Sequence, residues 1–243
     1  MKQQLDGQTL VVIGGSSGIG LASARHARAE GAAVIVTGRD PQRLRAAGEQ
    51  VGALSTAAFD ATNPEDLDSF FGSLSGPVDH VMVAAGGAYY APLSTFRFRE
   101  AHDSVDEHIW LPLRVARHSL EAVRPGGSLV LISGTGSRRA GVGLALGTML
   151  AAALPALTAT LALELAPTRV NLLAPGFVDT SLSAAILGDQ LEARRAELAR
   201  TLPIRRVVGP DDVATLAVHL MTNTALTAAT FDIDGGQQAA AAS

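Results

Sequence analysis

The sequence predicts an α/β fold in which one parallel sheet of about seven strands carries helices on both faces. Three observations lead to this prediction. Short apolar runs typical of buried strands recur along the chain, helix-like segments separate them, and a glycine-rich loop joins the first run to the first helix-like segment. Because strands in a parallel sheet are joined by long crossovers, this alternation favours a parallel sheet over an antiparallel one.

The predicted strands follow one another without an internal repeat or a linker. They cover residues 9–13, 33–37, 56–59, 80–84, 128–133, 169–173 and 229–233. Residues 63–66 and 209–212 are predicted helix starts, since proline stands at the first helical position and acidic residues follow it.

We therefore predict one domain over residues 1–243, with a core at 7–236. Within it, we expect a substrate lid at residues 181–202, which has an apolar face opposite a charged one. The low-complexity residues 237–243 are expected to form a flexible tail.

The composition narrows the class of protein. Apolar residues make up 47% of the chain and charged residues 17%, so we expect a homo-oligomer that hides part of a charge-poor surface. The net charge of −4 argues against nucleic acid or an anionic membrane as a partner. The absence of cysteine excludes disulfides and thiolate nucleophiles, and we predict no metal site. No segment near the N-terminus resembles a secretion signal, which favours a cytoplasmic location.

Residues 140–163 contain no charged side chain and are long enough to span a bilayer. Glycines and Pro155 interrupt the segment, and predicted strands lie on both sides of it. We therefore expect a helix that is buried on most faces by its own protein or by a sister subunit. Pro155 should remove one hydrogen bond and bend this helix.

The glycine-rich loop at residues 13–20, Ile-Gly-Gly-Ser-Ser-Gly-Ile-Gly, is the strongest functional signal. Its glycines lie at a turn from a strand to a helix. Glycine allows the backbone to turn sharply and to approach a pyrophosphate, and the N-terminus of the following helix attracts phosphate. The loop therefore predicts a dinucleotide site in a doubly wound, Rossmann-type domain.

The end of the second strand bears on which dinucleotide binds. Arg39 stands where an arginine accommodates the 2′-phosphate of NADP, whereas an acidic residue there would hold the ribose of NAD. Asp40 follows and has two interpretations, as a ribose ligand or as the cap of the next helix. We predict NADP, with NAD and a merely solvated Arg39 as the alternatives.

Further motifs follow in a fixed order, and together they resemble the short-chain dehydrogenase/reductase family over nearly the whole chain. These are Asp60, 84–86, 161–165, 169–171, 175–180, 203–206, 210–214 and 234–236. The resemblance implies the following residues as the cofactor-binding set: Gly14, Ser16, Ser17, Gly18, Ile19, Gly20, Arg39, Asp60, Ala61, Ala85, Gly86, Pro175, Gly176, Val178 and Thr180. It also implies that the long apolar helix forms a subunit interface, as in a dimer or tetramer.

The same resemblance implies a catalytic serine, tyrosine and lysine, and this chain departs from it. The three positions hold Gly134, Gly147 and Ala151, and His108 stands at the position of a fourth residue, an asparagine. The departure does not depend on the alignment. The only tyrosines are Tyr89 and Tyr90 and the only lysine is Lys2, so no Tyr-x-x-x-Lys pair exists.

Two hypotheses about function follow. In the first, the protein binds NADP(H) without the family reaction, as an inactive relative, a sensor or a partner subunit. In the second, it is an NADPH-dependent carbonyl reductase or alcohol dehydrogenase in which Tyr89, Tyr90 or His108 donates the proton, beside Arg138 and Arg139. The sequence does not identify a small-molecule substrate.

Overall fold

The computed structural model of the protein describes residues 3–240. Its strands are β1 (Thr9–Ile13), β2 (Ala33–Gly38), β3 (Ser55–Ala58), β4 (Val78–Val83), β5 (Val123–Ile132), β6 (Arg169–Pro175) and β7 (Ala229–Ile233). They form one parallel sheet in the order β3-β2-β1-β4-β5-β6-β7. The predicted fold class, with about seven parallel strands, is confirmed.

All the helices connect successive strands except the last, which follows β7. They are α1 (Gly18–Ala29), α2 (Pro41–Val51), α3 (Pro64–Gly72), α4 (Phe98–Val105), α5 (Leu111–Ala122), α6 (Ala145–Glu164), α7 (Ser181–Leu187), α8 (Leu191–Thr201), α9 (Pro210–Thr222) and α10 (Gln237–Ala240). A π-helical turn at Asp106–Trp110 joins α4 to α5.

Most of the core lies in two apolar layers, one on each face of the sheet, and a small third cluster is formed by Ala101, Leu146 and Leu150. Because successive strand residues point to opposite faces, Leu10 and Val12 pack with α1, α2 and α9, whereas Val11 and Ile13 pack with α3, α5 and α6. This arrangement covers both faces and leaves the carboxyl edge of the sheet open for a ligand.

Both predicted helix starts are confirmed. The side chain of Asn63 accepts a hydrogen bond from Glu65 N at 3.0 Å, at the beginning of α3. At the beginning of α9, the carboxylate of Asp212 accepts one from Gly209 N at 2.9 Å.

Strand β5 begins at Val123 rather than at the predicted residue 128. Val123 pairs with Val78, and the register then shifts so that Ser128 pairs with His80. The intervening residues 124–126 are exposed and include a proline and a glycine, so they carry none of the apolar pattern on which the prediction depended.

Helix α6 is long and apolar enough to cross a membrane by length and composition alone, and 39% of its apolar window is buried in the chain. Pro155 lies inside the helix, which continues to Glu164. Met149 and Leu163 remain 53% and 80% exposed. The chain itself therefore buries only part of this helix, and burial on most faces would need a second subunit.

The predicted lid, residues 181–202, consists of α7, a short 3₁₀ turn, the whole of α8 and the residue that follows it. The described part of the predicted tail, Gln237–Ala240, is helical. Its first side chains are held in place, because Gln237 Oε1 accepts a hydrogen bond from Phe177 N at 2.9 Å and Gln238 Nε2 donates one to Thr135 O at 3.0 Å.

His80 lies in the sheet between two polar partners. Its Nδ1 is 2.8 Å from Ser128 Oγ and its Nε2 is 2.6 Å from Gln8 Oε1. Burial lowers the pKa of His80 to about 4, and the nearby Asp79 carboxylate offsets only part of this effect. The folded protein therefore favours a neutral ring at this position.

This burial predicts a loss of stability in mild acid. The unfolded chain takes up a proton on His80 near pH 6.5, whereas the folded chain does so only near pH 4. The free energy of unfolding should therefore fall as the pH drops from 6.5 towards 4, by up to about 3 kcal/mol. Urea unfolding of the wild type and of His80→Gln across this range would measure the effect. An identical pH dependence in the two proteins would contradict it.

Candidate functional site

A cleft of about 310 Å³ opens at the carboxyl ends of β1, β2 and β4, where the glycine loop meets three other loops. Its lining residues are Gly14, Ser16, Ser17, Thr37, Gly38, Arg39, Asp40, Arg43, Phe59, Asp60, Ala61, Thr62, Ala84, Ala85, Gly86, Glu107 and Leu111. Eight residues of the predicted cofactor-binding set therefore lie together: Gly14, Ser16, Ser17, Arg39, Asp60, Ala61, Ala85 and Gly86.

The glycine loop is packed so tightly that side chains would not fit at its ends. A Cβ atom on Gly14, whose φ is +87°, would lie 2.5 Å from Ala85 N, and one on Gly20 would lie 2.2 Å from Gly14 O. Ser17 precedes α1 and its side chain makes no capping hydrogen bond. The first-turn N–H groups of α1 therefore remain free of that hydroxyl, and the residues present fit a dinucleotide pyrophosphate.

The other seven residues of the predicted set are not among those that line the cleft. A Cβ atom on Gly18 would lie 3.6 Å from Thr180 Cγ2, so the segment after β6 reaches the glycine loop. Thr180 Oγ1 caps α7 by accepting from Ser183 N at 3.3 Å, and Val178 is 5% exposed. Ile19, Gly20, Pro175 and Gly176 do not line the cleft.

Asp40 is the cap of α2. Its Oδ1 accepts hydrogen bonds from Gln42 N at 2.8 Å and Arg43 N at 3.1 Å. The structure therefore supports the second interpretation of Asp40, in which it caps the next helix. Arg39 is 69% exposed at the cleft mouth, and the Arg43 side chain forms no ion pair with any residue in 3–240.

Asp60 occupies the wall beneath the predicted adenine position. Its Oδ1 accepts from Thr62 N at 3.0 Å and from Thr62 Oγ1 at 2.8 Å, which closes a tight turn after β3. Phe59 and Ala61 contribute the apolar part of the same wall.

The three positions that the resemblance assigns to catalysis carry no reactive side chain. Gly134 follows β5, and a Cβ atom added there would lie 3.7 Å from Pro175 O. Gly147 lies in the first half of α6, and Ala151, one turn further on, is 7% exposed. These positions supply neither a proton donor nor a cation that would lower the pKa of one.

Of the candidate replacements, Tyr89 has a structural role. Its hydroxyl accepts a hydrogen bond from Arg97 N at 2.6 Å, and its ring packs edge-on against Phe96 at 5.3 Å between centroids. Tyr90 is 52% exposed, and neither tyrosine lines the cleft. Arg138 pairs with Asp232 at 2.6 Å, and Arg139 donates to the carbonyl of Gln238, so both side chains are engaged by the C-terminal part of the chain.

His108 is the candidate that lies nearest to the cleft. Its Nδ1 is 2.8 Å from Ser104 O, and a carbonyl can only accept, so Nδ1 carries the hydrogen. Its Nε2 would lie 3.2 Å from a Cβ atom on Gly86, a residue of the cleft lining. The second imidazole nitrogen thus lies beside Gly86, with no hydrogen-bond partner within residues 3–240.

The sequence analysis missed Glu107, which lines the cleft on the π-helical turn. Its Oε2 accepts a hydrogen bond from Gly87 N at 2.8 Å, and its Oε1 lies 3.7 Å from Arg39 Nη1. In the sequence, the signal that could have identified Glu107 was its position directly before His108. The irregular turn at 106–110, which decides which side chains face the cleft, has no clear pattern in the sequence.

No group of three or more histidine, aspartate or glutamate side chains within the described part of the chain could hold a metal ion. The charged residues that line the cleft are two arginines and three acids, namely Arg39, Arg43, Asp40, Asp60 and Glu107.

Comparisons with known proteins agree with this geometry. A family model described as enoyl-(acyl carrier protein) reductase matches residues 13–238. An uncharacterized oxidoreductase of Mycobacterium tuberculosis is 33% identical over 247 residues, which cover 96% of this chain and 93% of the relative. The short-chain dehydrogenase/reductase ATR9 of Stachybotrys chlorohalonatus is 29% identical over 245 residues, covering 95% and 96%.

Among solved structures, a small-chain dehydrogenase in complex with NADPH matches with a TM-score of 0.81 at 28% identity, covering 95% of this chain and 98% of that chain. The sequence matches and the parallel sheet with its glycine loop lead to the same assignment. This chain belongs to the short-chain dehydrogenase/reductase family.

Proposed function

We propose that the protein binds NADP(H) and does not catalyse carbonyl reduction by the family's tyrosine and lysine route, acting instead as a nucleotide sensor or partner subunit. One observation carries the proposal. The backbone of the glycine loop is packed as closely as nucleotide binding requires, whereas the positions that the resemblance assigns to catalysis hold Gly134, Gly147 and Ala151. When bound, the nicotinamide supplies a hydride, and no tyrosine–lysine pair stands in the sequence to supply the accompanying proton.

The preference for NADP over NAD is supported by charge at the cleft mouth. Arg39 and Arg43 line the side of the cleft at the end of β2, and a guanidinium suits phosphate geometry. The neighbouring carboxylate of Asp40 is engaged with two backbone N–H groups of α2. The Oδ1 oxygen of Asp40 is thus occupied by the helix cap, and the NADPH complex of a structural relative supports the choice of NADP.

A second candidate function is an active NADPH-dependent reductase in which His108 donates the proton. The observation that favours it is the position of Nε2 beside Gly86, a residue of the cleft lining. The hydrogen bond to Ser104 O fixes the ring and leaves Nε2 as the nitrogen that would exchange a proton with a substrate.

We also propose a homo-oligomer in which α6 contributes to the interface. The support is that Met149 and Leu163 on this helix are more than half exposed in the single chain. A long, uncharged helix with such exposure would be better covered by a second copy than left in water.

The first prediction of this proposal concerns Arg39. Arg39→Gln removes the cation expected to meet the 2′-phosphate and should raise the Kd for NADPH by about tenfold. The Kd for NADH should change by less than about twofold, since NADH lacks that phosphate. Isothermal titration of both nucleotides into both proteins would measure this. A wild type that binds neither nucleotide would refute the proposed function.

The second prediction separates the two interpretations of Asp40. Asp40→Ala should lower the free energy of unfolding by about 1 kcal/mol through loss of the cap on α2, whereas Asp40→Asn retains a capping oxygen and should cost little. Neither change should weaken NADH binding more than about twofold. A marked loss of NADH affinity in Asp40→Asn, with stability intact, would instead make the carboxylate a ribose ligand.

The third prediction concerns turnover. Protein saturated with NADPH should not oxidise it in the presence of a panel of aldehydes and ketones, followed at the nicotinamide absorbance band. Turnover that is retained in Tyr90→Phe and lost in His108→Gln would favour the second candidate, since only His108 lies beside the cleft. Turnover retained in both variants would contradict both candidates.

A further inference from the structure

The carboxylate of Glu107 faces Arg39 from the opposite wall of the cleft. Arg39 directly follows β2, whereas Glu107 lies on the π-helical turn before α5, and Arg39 Nη1 is 3.7 Å from Glu107 Oε1. Both residues line the cleft. The ion pair therefore crosses the space in which the sequence and the fold place the adenosine end of the nucleotide.

The two members of this pair are not held equally. Glu107 is 18% exposed, and its Oε2 accepts a hydrogen bond from Gly87 N at 2.8 Å. Arg39 is 69% exposed, and its guanidinium forms no hydrogen bond with any residue in 3–240. Glu107 is thus a fixed acceptor, and Arg39 is the member that is free to change its partner.

A 2′-phosphate that binds Arg39 has to take the place of the Glu107 carboxylate. The two anions compete for one guanidinium, and their mutual repulsion adds to the cost of binding. The 2′-hydroxyl of NAD carries no charge and does not compete in this way. The same carboxylate therefore opposes NADP but has little effect on NAD.

We propose that Glu107 is a specificity-determining residue that competes with the 2′-phosphate for Arg39 and so reduces the preference for NADP over NAD. This inference rests on the proposed function, in which the cleft binds these nucleotides. It assigns the preference to two residues on opposite walls, Arg39 as the attracting group and Glu107 as its competitor.

The test is Glu107→Gln, because the glutamine amide oxygen still accepts from Gly87 N while the charge is removed. An ion pair as exposed as this one contributes up to about 1 kcal/mol. The Kd for NADPH should therefore fall by about two- to fivefold, and the Kd for NADH should change by less than about 1.5-fold. Isothermal titration with each nucleotide gives these values without any assay of activity.

Two controls make the test specific. Asp106→Asn removes the same charge one residue away, where the carboxylate pairs with Arg114 at 3.6 Å and does not line the cleft. It should leave both Kd values within about 1.5-fold of the wild type. In an Arg39→Gln background, Glu107→Gln should no longer tighten NADPH binding, because the group for which the anions compete is gone.

The possible outcomes distinguish a failure of this inference from a failure of the proposed function. Wild-type protein that binds NADPH, with a NADPH-to-NADH ratio unchanged in Glu107→Gln, would overturn this inference and leave the proposed function standing. Weaker NADH binding in Glu107→Gln would overturn it as well, since Glu107 would then be a ribose ligand. If neither nucleotide binds the wild type or the variant, both proposals are refuted.

Discussion

The cleft depends on close backbone contact between the glycine loop and the turn after β4. Gly14 and Ala85 approach so closely that a Cβ atom on the glycine would lie 2.5 Å from Ala85 N. The same loop is closed on itself, since a Cβ atom on Gly20 would lie 2.2 Å from Gly14 O. Because both contacts are made by backbone atoms, they remain while the side chains around them change.

This constraint is consistent with the proposed function, in which nucleotide binding is retained without the family's catalytic route. The nucleotide cleft consists of backbone groups, the N-terminus of α1 and arginines at the end of β2. The catalytic half of the family depends on three side chains, and these can be replaced without disturbing the backbone. Gly134, Gly147 and Ala151 lie in a fold whose sheet order and glycine loop are those of the family.

The sequence predicted the features that depend on local chemistry. Strands appeared as apolar runs, helix starts as proline followed by acids, and the cofactor loop as glycines at a strand-to-helix turn. It did not predict the start of β5, where exposed residues pair only through their backbone. It also could not decide the role of Asp40, since a carboxylate at that position suits a cap and a ribose equally well.

The sequence alone could not predict the features that depend on packing between distant segments of the fold. The Tyr89 hydroxyl is held by Arg97 N and Glu107 faces Arg39, and both contacts join segments that only the folded chain brings together. The partial exposure of α6 belongs to the same class, because a uniformly apolar helix has no polar face that would mark its outer side.

The positions that the resemblance assigns to catalysis differ in how readily they would accommodate a larger side chain. At Gly134, an added Cβ atom meets Pro175 O at an ordinary contact distance of 3.7 Å, so a small hydroxyl residue would fit. Ala151 is 7% exposed, and a long cation there would have to displace its neighbours or remain in an apolar environment. A serine introduced at Gly134 would therefore need one substitution, whereas a lysine introduced at Ala151 would also require its neighbours to repack.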